Sequence, residues 1–322
     1  MSNSTSRFSL SKNNGPNQSD PHNNNNNRLE KSESVKQDIR VNLYELILPR
    51  SISGDNLHSL LSSLTPLLAV KFSSKPKIEG SSIESEGKPY FVLEDLWESY
   101  NEWSAIGVEV PFKQIDHETV AQYFAPSLSA LQLYVEDDQG LKKSSEEKSG
   151  LEPSKKTTTK LVYQFFEDER PHERMHLINK VSILAEERPY IKTYRSSDIS
   201  PCSWFSVAWY PIYGIRAKPT LKNIKAAFLT FHNLSAHFKS KNQPKLHDGD
   251  GPLKMPLPIF GLTTDKLKRS ILAFPKARES TQLNTLLKAA DDWLDSLNVV
   301  SHYDHNHFVR HGKQWVEEKK DK

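Results

Sequence analysis

The stretch SWFSVAWYP at residues 203–211 decides how this chain folds. Apolar side chains occupy both odd and even positions of the run, so a strand formed here is apolar on both faces. Such a strand lies in the interior of a sheet that is covered on both sides. Because proline has no N–H to donate to a neighbouring strand, we expect the strand to end near Tyr210, just before Pro211.

Other segments surround this strand in an irregular order. Runs of β-branched or aromatic residues bounded by turn residues predict further strands at 128–135, 161–166 and 226–233. The spacing of apolar residues, with a proline start in one case, predicts helices at 55–64, 93–104, 171–187 and 281–297. This order favours an α+β fold, a mostly antiparallel sheet with several packed helices, over a doubly wound α/β fold.

Apolar residues are distributed unevenly along the 322 residues. The Asn/Ser-rich stretch 1–38 contains only five of them: Met1, Phe8, Leu10, Leu29 and Val35. It cannot bury enough apolar surface to offset the entropy of ordering, so we predict a disordered tail. Two internal stretches, 137–160 and 239–258, are predicted to be long disordered insertions, mobile and at the surface. The expected organisation is therefore a single α+β domain over 39–312, followed by a charged tail at 313–322.

Charge and cysteine content limit the function classes. The chain carries 43 basic and 40 acidic residues, a net charge of +3, and no basic stripe that indicates nucleic-acid binding. The single cysteine, Cys202, excludes an intramolecular disulfide and fits a cytoplasmic or nuclear protein. The chain contains no run of 18 apolar residues, so the sequence predicts no membrane-spanning helix. Asparagines at 23–27 interrupt the amphipathic helix of a transit peptide, so organelle import is not expected.

Two histidine clusters are candidate metal sites. Residues 172–176 read H-E-x-x-H, which on a helix places His172 and His176 on one face as zinc ligands, with a glutamate as general base. However, Pro171 places this motif in the first turn of the predicted helix, and no third ligand follows within reach. The second cluster comprises His302, Asp304, His305, His307 and His311, of which His305 and His307 share a face if 303–309 is extended. We favour a solvated helix start and an exposed, polar C-terminal segment, and expect no metal or cofactor.

Other polar residues are candidates for binding or acid–base chemistry. Glu98 and Glu102 lie one helical turn apart, a spacing that can pair two carboxylates, although such glutamates usually face water. Arg195 and Asp198 flank a tight connection before the central strand, where an internal ion pair is the alternative to ligand contact. The aromatic residues Trp204, Trp209, Tyr210 and Tyr213 form either a stacking platform or part of the core. The chain contains no G-x-S-x-G, P-loop or G-x-G-x-x-G motif.

Three blocks of this sequence resemble one known family. They are DLWESYNEWS at 95–104, YRSSD at 194–198 followed by SWFSVAWYPIY at 203–213, and PTLK with FLTFH within 219–232. The family is a group of plant proteins catalogued as domain of unknown function 789, and the resemblance extends from about Asp55 to His311. It implies a single domain with no established activity or cofactor. The histidines at 172, 176, 305 and 307 depart from the family pattern, whereas the candidate residues listed next match it: Glu98, Glu102, Arg195, Asp198, Tyr210 and Tyr213.

Together these observations predict a non-catalytic module that binds another macromolecule, such as a protein, or a small ligand, through some of the six matched residues. Two alternatives remain open. One is an enzyme of unrecognised type, a hydrolase that uses Glu98 and Glu102 as acid and base. The other, less favoured, is a zinc hydrolase through the H-E-x-x-H motif at 172–176.

Overall fold

The predicted interior strand is the centre of the sheet. The computed structural model describes residues 55–73, 89–113, 119–137, 158–212, 227–235, 253–264 and 277–309. Strand β7 (Trp204–Ile212) lies between β5 (Thr119–Asp137) and β8 (Phe228–Asn233), and both pairings are antiparallel. The prediction of a strand covered on both sides is confirmed, because every residue from Trp204 to Trp209 is buried.

Six strands form this antiparallel sheet. The order is β10 (Ile259–Thr264), β8, β7, β5 and β4 (Val108–Lys113), and β6 (Thr158–Phe166) also pairs with β5. The first half of the long β5 pairs with β4 and its second half pairs with β6. Two small antiparallel pairs lie outside it: β1 (Leu67–Ala69) with β9 (Lys254–Pro256), and β2 (Lys71–Phe72) with β3 (Pro89–Tyr90). The α+β class is confirmed.

Alternate side chains of β7 enter two different hydrophobic clusters. On the first face of the sheet, Phe205, Val207 and Trp209 pack with helices α1 (Asn56–Ser63), α2 (Leu93–Ser99) and α4 (Leu177–Glu187). On the second face, Trp204 and Ala208 pack with the C-terminal half of α6 (Ala277–Ser296) and with α7 (303–309). The period of two along a strand therefore divides one short sequence between two cores.

Two helices begin or break differently from the prediction. The predicted helix 93–104 is two helices, α2 and α3 (Asn101–Ile106), which meet at Tyr100. The N–H of Tyr100 bonds to the carbonyl of Trp97, three residues earlier, which tightens the chain there. The predicted helix 171–187 begins only at Leu177, after a turn at 171–173 and an extended residue, His176. A short helix, α5 (Tyr190–Thr193), follows it.

The other two helices agree with the prediction. Asp55 caps α1 by accepting a hydrogen bond from the His58 N–H at 2.7 Å. Helix α6 contains most of the predicted segment 281–297 and lies very close to β10. A Cβ at Gly261 would be 3.0 Å from the Ala290 Cβ and 3.1 Å from its Cα. Glycine therefore permits this helix and strand to approach.

Several predicted boundaries are wrong. Strand β7 continues through Pro211 to Ile212, because β8 pairs with β7 only as far as Trp209 and no other described strand lies on that side of this end. The predicted insertion 239–258 includes β9, whose Met255 is buried against β1. Residues 303–309 are helical, not extended. The predicted tails 1–38 and 313–322, and most of the two insertions, lie outside the described residues.

Within the described ranges, no helix combines the length and the apolar character needed to cross a lipid bilayer.

Candidate functional site

A buried ion pair on the second face joins two distant parts of the chain. Arg174 and Asp304 are 130 residues apart and make a two-pronged contact. The Nη1 and Nη2 atoms of Arg174 each donate to a different carboxylate oxygen of Asp304, both at 2.7 Å. The two side chains are only 1% and 2% exposed. This planar, bidentate geometry is the strongest form of ion pair between these residue types.

Further groups complete the coordination of this pair. The Tyr210 hydroxyl accepts from Arg174 Nη1 at 3.0 Å, and the Glu169 carbonyl accepts from Arg174 Nε at 2.8 Å. The Ser129 hydroxyl donates to Asp304 Oδ2. Ser129 is the extra residue of a bulge in the pairing of β5 with β7, and a bulge re-aims a side chain in this way.

Electrostatics maintain the charges of this cluster. Burial lowers the pKa of Arg174, but the hydrogen bond and the charge of Asp304 outweigh it and the net change is upward. Burial, together with the charge of Asp304, raises the pKa of Tyr210. Arg174 therefore stays cationic and Tyr210 stays a neutral phenol in the physiological range.

A serine–histidine pair lies beside the ion pair. His302 Nε2 is 2.9 Å from the Ser206 Oγ, and His302 Nδ1 accepts from the backbone N–H of His305 at 3.3 Å. Because Nδ1 is an acceptor, the proton of the neutral ring is on Nε2, which donates to Ser206. Burial lowers the pKa of His302 to about 3, which keeps the ring neutral.

This pair does not have the arrangement of a nucleophile and its base. A general base must accept the serine proton, whereas His302 Nε2 donates to Ser206. Ser206 is fully buried and His302 is 1% exposed, so no substrate reaches them in this structure. The hydrogen bond links His302, the residue before α7, to the central strand of the sheet.

A second group of charges continues from this cluster. Glu167 is buried, and its Oε1 accepts from the backbone N–H groups of Asp168 and Glu169. Its Oε2 is 3.2 Å from Lys180 Nζ, which also lies 3.3 Å from Glu169 Oε1. The segment 167–176 is thus tied to α4 by ion pairs and to β5 by the backbone bond from the Glu167 N–H to the Ser129 carbonyl.

The six residues expected to bind a partner are located in different places. Glu98 on α2 and Glu102 on α3 are both exposed, and neither makes a hydrogen bond or ion pair with the described residues. Tyr210 belongs to the buried cluster, and Tyr213 lies outside the described residues. The carboxylates of Glu98 and Glu102 therefore face solvent, on two helices that meet at Tyr100.

Arg195 and Asp198 lie on one rigid turn, the 195–198 turn. The Asp198 N–H bonds to the Arg195 carbonyl at 2.9 Å, and the Ser197 hydroxyl donates to Asp198 Oδ1. The fully buried Ser196 anchors the turn, since its hydroxyl accepts from the Phe91 N–H and its own N–H bonds to the Phe91 carbonyl. Arg195 is exposed, with its guanidinium carbon 5.2 Å from the centre of the Tyr90 ring.

The H-E-x-x-H motif is not on a helix. His172 lies in a turn, His176 precedes the first residue of α4, and both are exposed, so the spacing that would place two imidazoles on one helix face does not apply. Across the described part of the chain, no group of three or more His, Cys, Asp or Glu residues could hold a metal ion. The backbone of 171–176 instead directs Arg174 into the second face.

Sequence reasoning missed the buried cluster and wrongly assigned its C-terminal part to solvent. His302 and Asp304 belong to a segment expected to be exposed, yet both are buried. A signal existed in the i, i+4 spacing of Asp304 and Phe308, which places both on one face of a helix. Ser129 and Ser206, polar residues inside otherwise apolar strands, indicate in the same way that polar partners face them.

Comparison with known proteins identifies one family. The model of the family described as "Protein of unknown function (DUF789)" matches residues 55–154 and 135–308. No curated protein and no solved structure matches the chain.

Proposed function

Because this chain belongs to the DUF789 family, whose function is unknown, we propose from its geometry that it is a non-catalytic module that binds another protein through the 195–198 turn. The exposed Arg195 carries this proposal. Its guanidinium makes no ion pair with the described residues and is held against the Tyr90 ring. Arginine and tyrosine are the residue types most enriched among the energetically important contacts of protein interfaces.

The rigidity of the turn supports this function. The backbone of Phe91 bonds to both the hydroxyl and the N–H of Ser196, and the Leu93 N–H bonds to the Tyr194 carbonyl. Arg195 and Asp198 therefore project from a fixed scaffold, and little entropy is lost when a partner binds them. Glu98 on the adjoining α2 adds an exposed charge of opposite sign. The complementary partner carries an acidic group for Arg195 and a basic group for Glu98 or Asp198.

The proposed setting is the cytoplasm or nucleus of a plant cell, without import through a transit peptide. Two observations support this setting: the single cysteine, and the resemblance of the blocks at 95–104 and 203–213 to plant sequences. No cofactor is part of the proposal.

Charge reversal at Arg195 tests this function. Wild-type protein, Arg195→Glu and the matched control Arg278→Glu, an exposed arginine on α6, are used as baits in a plant extract, with quantitative mass spectrometry of the captured proteins. We expect a partner that the control still captures and whose captured amount falls about tenfold or more with Arg195→Glu. A loss of this size is typical of an arginine at the centre of an interface. Capture that is equal for all three baits, or absent for all of them, would overturn the proposal.

A further inference from the structure

We propose that Arg174, Tyr210 and Ser129 form a binding site for the carboxylate of a short acidic helical peptide, and that α7 is a copy of this peptide which the chain itself supplies. The three residues are here called the carboxylate cradle. It is a second recognition site, separate from the 195–198 turn, and it does not depend on the function proposed for that turn.

The carboxylate cradle is organised without any contribution from α7. Arg174 comes from the segment 167–176, Tyr210 from β7 and Ser129 from the bulge in β5. The Tyr210 hydroxyl and the Glu169 carbonyl hold the guanidinium in place through Nη1 and Nε. The Ser129 carbonyl accepts from the Glu167 N–H at 2.9 Å, which ties the segment to the strand. A guanidinium fixed in this plane presents its fork to a carboxylate.

Without Asp304, the carboxylate cradle would contain an unpaired buried cation. Asp304 supplies the acceptors for Nη2 and for one bond of Nη1. An arginine side chain that is 1% exposed cannot recover these bonds from water without opening the site. The carboxylate cradle is therefore selective for a group with two acceptor oxygens and a negative charge.

Helix α7 can separate from the sheet in a local opening whose main cost is the loss of the Arg174–Asp304 pair. Asp304 binds the carboxylate cradle, His302 binds Ser206, and His305 lies 2.8 Å from Asp291 Oδ1 at the surface. Phe308 is its one large apolar side chain in the second-face cluster. The hydrogen bonds of His302 and His305 are exchanged for bonds to water at a smaller net loss, and a helix of seven residues has little stability alone. A segment of this kind opens locally before the core unfolds.

The resident helix also indicates what a competing peptide must contain. Asp304 and Phe308 are four residues apart, so both face the sheet from one side of α7. The Phe308 side chain is 4% exposed and packs in the cluster that contains Trp204 and Phe231. The ligand class is therefore an acidic helical peptide with an aromatic or large apolar residue four positions after its carboxylate.

A peptide supplied in trans tests the proposal. The probe is a fluorescent peptide of residues 299–309, and the control probe carries Asp304→Asn. The receptor is the full chain with Asp304→Asn, in which α7 competes less well for the carboxylate cradle. We expect this receptor to bind the probe at least about tenfold tighter than wild type does, because the fraction of open carboxylate cradle sets the apparent affinity. The control probe should not bind the Asp304→Asn receptor more tightly than it binds wild type. The probe itself should show no gain in affinity for the receptor Arg174→Lys/Asp304→Asn.

Folded Asp304→Asn protein that fails to prefer the probe over the control probe would overturn the proposal. Arg195→Glu is expected to leave peptide binding unchanged, so failure here is distinct from failure of the function proposed for the turn. If Asp304→Asn does not fold, hydrogen exchange of wild type decides the question. Faster exchange of the 303–309 amides than of the 283–294 amides supports independent opening of α7, and equal protection of both segments overturns it.

Discussion

The two faces of the sheet are covered through different kinds of contact, although β7 contributes alternate residues to both. The first face is closed mainly by aromatic rings. Trp97 and Phe205 meet edge to face with centroids 5.3 Å apart, and Tyr100 lies 6.2 Å from Trp209. On the second face, hydrogen bonds and charges from α7 and the segment 167–176 cover the centre of the sheet.

This difference determines how each face responds to the loss of one polar group. On the first face the Tyr100 hydroxyl is buried and has no hydrogen-bond partner among the described residues, so its removal breaks no bond. On the second face nearly every polar atom of the cluster is paired, and removal of one atom leaves its partner buried and alone. The first face is thus tolerant at Tyr100, whereas the ion-pair cluster of the second face is not tolerant at its polar positions.

The largest expected effect is the loss of Asp304. Replacement of Asp304 by alanine leaves the Arg174 guanidinium buried without a counter-charge, which costs about 3–5 kcal/mol in the free energy of unfolding. Urea denaturation measures this cost. The matched control is Asp295→Ala, an exposed aspartate on α6 that should change stability by less than about 0.5 kcal/mol. Equal stabilities of the two variants would mean that the ion pair does not hold the second face.

The next effect in size is a loss of stability in acid that comes from both faces. Burial lowers the pKa of His302, on the second face, and that of His232, on the first, each to about 3. Unfolded histidine titrates near 6.5, so the unfolded chain takes up protons first and stability falls as pH falls through the window from about 6.5 to 3. Each histidine should contribute a loss of about 2 kcal/mol between pH 7 and pH 5.

Denaturation of wild type and of His302→Gln at several pH values tests whether these histidines cause the loss of stability in acid. The variant should lose less stability than wild type between pH 7 and pH 5, by about 2 kcal/mol, and His232→Gln should act in the same way. The comparison uses the slope with pH, because either substitution also changes stability at neutral pH. If the free energy of unfolding of both variants changed with pH as steeply as that of wild type, the two imidazole rings would be excluded as the cause of the acid instability.

Much of the fold follows from local sequence, because the strongest features are written in short runs of residues. The two-sided burial of β7 needs only the composition of its own residues. Strand β4 was missed even though Val108, Val110 and Phe112 alternate with exposed residues. Its Pro111 argues against a strand interior, and only the sheet order shows that β4 lies at an edge, where proline is tolerated.

The candidate sites also differ in how far the sequence predicts them. Arg195 and Asp198 could be identified because the 195–198 turn is contiguous, with its anchor Ser196 between them. Arg174 and Asp304 could not, since nothing in either neighbourhood shows that two charged residues 130 positions apart become buried together. The segment around Asp304 is polar and reads as exposed, and its burial depends on the bulge at Ser129 and on the placement of 167–176.

The smallest effects give the sharpest contrast, because the same hydroxyl-to-hydrogen change should act differently on the two faces. Ser206→Ala removes the acceptor of the His302 Nε2–H and leaves that donor buried, which costs about 1–3 kcal/mol. Tyr100→Phe removes a buried hydroxyl that has no partner among the described residues, so stability should stay within about 0.5 kcal/mol of wild type or increase.

Thermal and urea denaturation of these two variants, and of the double variant, measure the contrast. The two sites lie on opposite faces of β7 and share no hydrogen-bond partner among the described residues, so their effects should add within about 0.5 kcal/mol. A loss of more than about 1 kcal/mol in Tyr100→Phe would mean that its hydroxyl is bonded after all, for instance to buried water. The Tyr100 hydroxyl would then be a bonded polar group like the Ser206 hydroxyl, and the contrast between these two positions would fail.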